Sequence, residues 1–238
     1  MCGREITEVL ARLGAVRNIV AADRDSLLIA GLISVFDLGP GCREEANAKQ
    51  LAIPDALLSL GRAPDREREP FRSWLASDSL QLLELEAGSL DDIVRVIQEL
   101  GRLVDRQDRA QIEIAQMTRA VATVAVRRDG LLRRNVVWVV DDEPLTVVGA
   151  TGLLHELLEL AGAENAFHDP AGSRFRVSVE EILGRSPDLI LVPEGAEHLA
   201  EALGPLVRIF PQTLLEIPTL NPVPKIHALY ALLYPDDR

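Results

Sequence analysis

Between Ser89 and Val126 apolar residues recur every three or four positions: Leu90, Ile93, Val94, Ile97, Leu100, Leu103 and Val104, then Ile112, Ile114, Met117, Val121 and Val124. This spacing predicts one long amphipathic helix buried along a single stripe. Ser89 supplies a capping hydroxyl for free backbone amides, and Asp91 and Asp92 suit the positive end of the helix dipole. Arg95, Glu99, Arg102, Asp105, Arg106, Asp108 and Arg109 make the other face, whose plain reading is a solvated surface. A helix of this length would reach about 50 Å at 1.5 Å per residue, enough to bridge two domains.

Upstream, EITEVLARLG over residues 5–14 predicts a short helix that stops at Gly14. Asn18–Ala22 reads as a strand running into a polar loop. Residues 27–38 are apolar, but periodicity does not separate helix from strand there. The pattern lapses over 39–69, where prolines and the charge run DREREP point to exposed loop. A helix around Trp74 and a strand over Leu80–Leu85 precede the long helix. Downstream, Asp129-Gly130 marks a turn. Strands are predicted at Asn135–Val140 and Leu189–Val192 and in VRIFP. Helices are predicted at Gly149–Ala161, in AEHLAEALG, in KIHALYALLYP and at Ser178–Ser186, the last with a Ser178/Glu181 capping box. Alternating strands and helices imply an α/β protein with a parallel sheet covered on both faces.

Composition narrows the function. At 238 residues and 47% hydrophobic, the chain can bury sizeable cores. A net charge of -12 argues against a general nucleic-acid-binding or anionic-membrane role; only Arg72, Arg127, Arg128, Arg133 and Arg134 hint at local basic clusters. Cys2 and Cys42 fit no zinc pattern and allow one disulfide at most. No apolar run has the length of a membrane span, and no charged-then-apolar leader is present.

Candidate chemistry is sparse. VVWVVDDEP followed by PDLILV looks like the acidic, magnesium-binding end of a phosphate-accepting receiver domain. The later strand, however, runs Val192-Pro193 where that chemistry needs a carboxylate, with Glu194 the nearest substitute. Asp141 and Asp142 are then plain loop residues at a strand end. His155, His168, His198 and His227 are scattered without metal-pair spacing, and His155 reads as a surface or edge residue facing Glu159. G-x-S-x-G, P-loop and G-x-G-x-x-G motifs are absent. Binding, not catalysis, is the expected activity.

Five segments, in order, resemble the substrate-binding proteins of ABC importers for vitamin B12, ferric siderophores and haem. They are EITEVLARLGAVRNIVAADRDS, SLDDIVRVIQELGRLVDRQDRA, PLTVVGATGLLHELLELAGAENAF, VSVEEILGRSPDLILV and NPVPKIHALYALLYPD. The resemblance implies two parallel-sheet α/β lobes joined by one long helix, as in class III periplasmic binding proteins. The N-terminal lobe would be residues 1–88, the linking helix 89–126 and the C-terminal lobe 127–238. A corrinoid or ferric siderophore, less readily haem, would be held in the cleft between the lobes and handed to permease subunits. It further implies a monomer, no required cofactor, and a periplasmic or membrane-anchored extracytoplasmic location. The first lobe departs from the pattern: the usual first strand and the second "PD-hydrophobic" strand are not recognised, and residues 39–80 do not align. That lobe is expected to be shortened.

The resemblance places ligand contacts on loops after strands, as α/β sheets do generally. It selects His168–Arg176 and the Asp142–Gly149 turn. Phe175 stands where related corrinoid binders place an aromatic against the ligand, with ordinary packing as the alternative. Arg174 or Arg176 would meet a carboxylate or an anionic siderophore through bidentate hydrogen bonds. Arg24, Asp25 and Ser26 follow the early strand, and Trp74 is either a contact or core. Glu180 resembles the acid with which such proteins grip permease arginines, or is plain surface. Haem is disfavoured because the only tyrosines, Tyr230 and Tyr234, lie in the final helix, although His168 is a competent metal ligand. Two other readings stay open: a receiver-like signalling domain, and a binding-protein fold that lost its ligand and serves as a protein-interaction module.

Overall fold

The computed structural model describes residues 3–29, 35–38, 55–62, 71–72, 75, 80–127, 129–169, 172–216 and 219–235. Trp74, Cys2, Cys42 and Arg128 lie outside these. The chain forms two compact units, Met1–Gln116 with Pro218–Leu220 and Met117–Ile217 with Asn221–Arg238.

In the first unit α1 (Arg4–Arg12) buries Ile6, Val9 and Leu10. The Gly3 amide at its start donates to Asp23 Oδ2 at 2.8 Å, so the acid behind the first strand caps this helix. The expected strand Asn18–Ala22 is shorter. Val16–Asn18 is a turn of 3-10 helix whose hydrogen bonds take the backbone groups, leaving β1 (Ala21–Ala22). It pairs in parallel with β2 (Phe36–Asp37).

β3 (Ala56–Leu60) pairs in parallel with β4 (Gln81–Leu85), from Ala56↔Gln81 to Leu60↔Leu85. This corrects the sequence reading: Pro54-Asp55 followed by ALLSL is the second "PD-hydrophobic" strand, hidden by the prolines and charges around it. Ala21, Leu38, Leu57, Phe71 and Leu80 form the buried cluster beneath these strands.

The helical stretch is not one rod. α2 (Leu90–Leu103) is capped by Ser89, whose Oγ accepts from the Asp92 amide at 3.1 Å, and buries Ile93, Val96, Ile97 and Leu100. α3 (Gln107–Arg127) follows a break at Asp105, which adopts φ 53°. The sequence carries the reason: the apolar stripe lapses between Val104 and Ile112, so nothing buried guides the helix through Asp105–Asp108. The Arg106 amide donates to the Gly101 carbonyl at 2.7 Å, and a Cβ on Gly101 would meet Ala110 Cβ at 2.6 Å. The two units divide within α3, after Gln116.

In the second unit β5 (Arg134–Asp142) is the hub. β6 (Leu145–Val148) turns back on it through Glu143-Pro144 and pairs antiparallel. α4 (Leu153–Leu160) leads to β7 (Ala163–Asn165), parallel to the start of β5. β8 (Arg174–Arg176) pairs antiparallel with β6. α5 (Val179–Gly184) carries the expected capping box, β9 (Leu189–Pro193) lies parallel to β5, and α6 (Leu199–Leu203) leads to β10 (Val207–Phe210), parallel to β9. α7 (Val223–Leu233) closes the chain. The sheet order is β10-β9-β5-β6-β8. The parallel expectation therefore holds for β5, β7, β9 and β10 and fails at β6 and β8. The predicted helix from Gly149 starts later, at Leu153, because Gly149–Gly152 form its approach. Val137, Val139, Val147, Ile190 and Val192 fill the core, and Trp138 sets its edge against Phe210 at 5.9 Å.

Candidate functional site

The loops after β6 and β7 are tied together by Asn165, the last residue of β7 and fully buried. Its Nδ2 donates to the carbonyl of Gly149 at 2.8 Å and lies 3.3 Å from that of Val148, while its Oδ1 accepts from the Phe167 amide at 3.0 Å. A buried amide that satisfies both loops fixes their spacing, since any displacement leaves a desolvated polar group unpaired. His155 Nδ1 lies 3.3 Å from the same Nδ2, so this half-buried histidine faces Asn165.

Gly149 makes a second close approach. Its amide donates to the Ser173 carbonyl at 2.9 Å, and a Cβ there would stand 2.2 Å from the Gly172 carbonyl oxygen and 2.9 Å from Phe175. Only glycine lets the loop before β8 lie this close.

β8 sorts the predicted contacts by its two-residue period. Phe175, paired with Val147, is half-buried, packs on the core and meets Phe167 edge-on at 5.3 Å. Arg174 and Arg176 take the opposite face and are exposed. They sit about 7 Å apart along the strand. Neither guanidinium has a side-chain partner among the described residues. The aromatic thus anchors the strand, and the two cations are the groups available to a ligand.

His168 is exposed beside them in sequence, and its Nδ1 lies 2.9 Å from the Asn165 carbonyl. A carbonyl only accepts, so Nδ1 carries a proton; in the neutral ring Nε2 is then the atom with the lone pair, the tautomer arrangement common behind metal-binding histidines. Asp169 pairs with Arg185 at 2.8 Å, and that hydrogen bond holds its carboxyl below the usual value. Arg185 also stacks over Phe167, 4.9 Å from the ring centroid.

Glu180 is exposed in the first turn of α5. Glu181 closes the capping box with Ser178, each accepting the other's amide, at 2.7 and 3.2 Å. Hydrogen bonds from its own backbone and from Ser178 lower the Glu180 carboxyl, keeping it charged at the helix start.

In the first unit Arg24 reaches Asp37 at 3.1 Å, joining the ends of β1 and β2, and Asp25 is exposed. Ser26 does not share that surface. It is fully buried, its amide bound to Asp23 Oδ1 and its hydroxyl without a partner. Both tyrosines are also internal: Tyr234 donates to the carbonyls of Gly162 and Leu132 at 2.9 and 3.2 Å, and Tyr230 reaches that of Arg127. Asp142 has His198 Nε2 at 3.6 Å, and among the described residues no three His, Cys, Asp or Glu converge as a metal site.

Sequence reasoning missed Asn165; it read Asp142–Gly149 as a contact turn, whereas Leu145–Val148 is strand β6 and Gly149 holds the loop before β8, although both residues lie inside segments that carried the family resemblance.

Two loops held together by Asn165 and Gly149 on an α/β scaffold frame the candidate site. The chain belongs to the periplasmic binding protein family, whose profile matches residues 55–202. Its members bind and do not catalyse. The vitamin B12-binding protein of Salmonella typhi is 24% identical over 170 residues, which cover 71% of this chain and 61% of that protein. The chain thus spans less than two thirds of the relative's length. An ABC transporter substrate-binding protein from Listeria monocytogenes EGD-e superposes with a TM-score of 0.80 at 20% identity, covering 99% of this chain and 97% of the other. A possible iron-binding, periplasmic solute-binding protein from Staphylococcus epidermidis gives 0.81 at 19%, with 98% and 96% covered.

Proposed function

We propose that the chain is the substrate-binding component of an ABC importer and captures a metal chelate, a corrinoid or ferric siderophore ahead of haem. The observation that carries this reading is the pair Arg174 and Arg176, two exposed guanidiniums without side-chain partners among the described residues, on a strand held in place by Gly149 and Asn165. Paired guanidiniums recognise the carboxylates and phosphates that such chelates carry. Arg24 and Asp25 are proposed as first-unit contacts.

Haem ranks lower because both tyrosine hydroxyls are spent on backbone carbonyls inside the second unit. His168, with Nε2 free, is the one proposed metal-directed group. Glu180 is proposed to meet a cationic residue of the permease, since it is exposed and charged while Glu181 is used internally. A periplasmic or membrane-anchored extracytoplasmic site of action follows from this role. Absorbance and tryptophan-fluorescence titrations with cobalamin, a ferric siderophore and haemin test the reading.

A further inference from the structure

The end of α3 and the turn into β5 stand apart from the rest of the surface. Against a chain charge of -12, residues 119–134 hold Arg119, Arg127, Arg128, Arg133 and Arg134 with Asp129 the only acid, five positive less one negative, or +4. No acid occurs from Ile114 to Arg128. The helical period puts Arg119, Thr123, Val126 and Arg127 on one exposed stripe while Val124 faces inward.

Two large apolar side chains project among these cations: Leu132 is 89% exposed and Val126 74%. Arg133 is paired with Glu159, and Arg134 lies over the Tyr234 ring. Arg119 and Arg127 have no side-chain partner among the described residues. The patch sits at the N-terminal ends of β5 and β7, the end of the sheet opposite His168 and Asn165.

We propose that this turn docks on an anionic membrane surface. Val126 and Leu132 enter the headgroup region while Arg119 and Arg127 pair with lipid phosphates, the combination by which short amphipathic elements hold to such surfaces. The whole-chain negative charge does not oppose this, because screening confines the relevant field to roughly 8 Å at physiological salt. With Arg133 offset by Glu159, Arg119 and Arg127 are the cations left to make the contact.

The test is flotation of the purified chain with phosphatidylcholine vesicles, with and without phosphatidylglycerol, over a salt series. The expected result is binding only when phosphatidylglycerol is present, weakening with salt. Arg127→Glu with Leu132→Asn should lower partitioning by about tenfold, with an unchanged circular dichroism spectrum and unchanged chelate titration. Equal behaviour on both vesicle types, or binding indifferent to the substitutions, would overturn the proposal. So would concentration-dependent self-association that the same substitutions abolish, which would make the occupant a second copy of the chain.

Discussion

Asn165 donates to the Gly149 carbonyl at 2.8 Å from a position with no exposed surface, and this bond joins the loops after β6 and β7. Asn165→Ala leaves both the Gly149 carbonyl and the Phe167 amide unpaired in the interior. A loss of about 1–3 kcal/mol in urea unfolding is expected. Gly149→Ala should cost at least about as much, because its Cβ would need the Gly172 carbonyl to move away from 2.2 Å. Thermal unfolding of the two variants side by side checks both.

The alternation of β8 separates stability from binding. Phe175→Ala removes a half-buried ring from the core and its contact with Phe167, so a loss of about 1–3 kcal/mol is expected in denaturant unfolding. Arg174→Ala and Arg176→Ala are surface truncations and should stay within about 0.5 kcal/mol of the parent. Binding should respond in the reverse order, with the arginine variants losing affinity for anionic chelates and Phe175→Ala losing it only as far as the fold loosens.

The Asp169–Arg185 pair sets an acid-side dependence. Its hydrogen bond to Arg185 depresses the folded-state carboxyl below the ordinary 3.8. A depressed value means that the pair's contribution is complete above 3.8 and is lost as pH falls through the folded value. Asp169→Asn should therefore lower the unfolding midpoint slightly at neutral pH and not at strongly acid pH. Because the pair is exposed, added salt should shrink the difference. A gap that widens on acidification would contradict this assignment.

Glu180 and Glu181 are adjacent but perform different work. Glu181→Ala breaks the capping box and should cost about 0.5–2 kcal/mol by thermal unfolding. Glu180→Lys should change stability less, leave chelate affinity intact and abolish stimulation of the partner transporter's ATPase in proteoliposomes. Retained stimulation would remove Glu180 from the docking role.

Much of the second unit was legible because its elements are punctuated: Gly162 after α4, the Ser178/Glu181 box before α5, and Pro187-Asp188 before β9 all carry local chemistry. β6 and β8 were not read as antiparallel because the reversal depends on one Glu143-Pro144 turn, and Arg-Phe-Arg is too short to show a period. β3 was hidden by its surroundings, since five strand residues inside a Pro- and charge-rich stretch leave little pattern. The break at Asp105 was visible as a lapse in the apolar stripe, yet helical residues on both sides masked it. In the site, Arg174 and Arg176 were legible as cations near a loop. That Phe175 faces away from them, and that Ser26 is buried, depends on strand pairing and packing that no local pattern encodes.

Chelate capture is tested by a calorimetric titration of the purified chain with cobalamin, a ferric siderophore and haemin in parallel. Saturable one-to-one binding of a corrinoid or ferric siderophore is expected, weakened by roughly tenfold or more in Arg174→Ala with Arg176→Ala. No saturable binding of any of the three by a chain shown to be folded would contradict it.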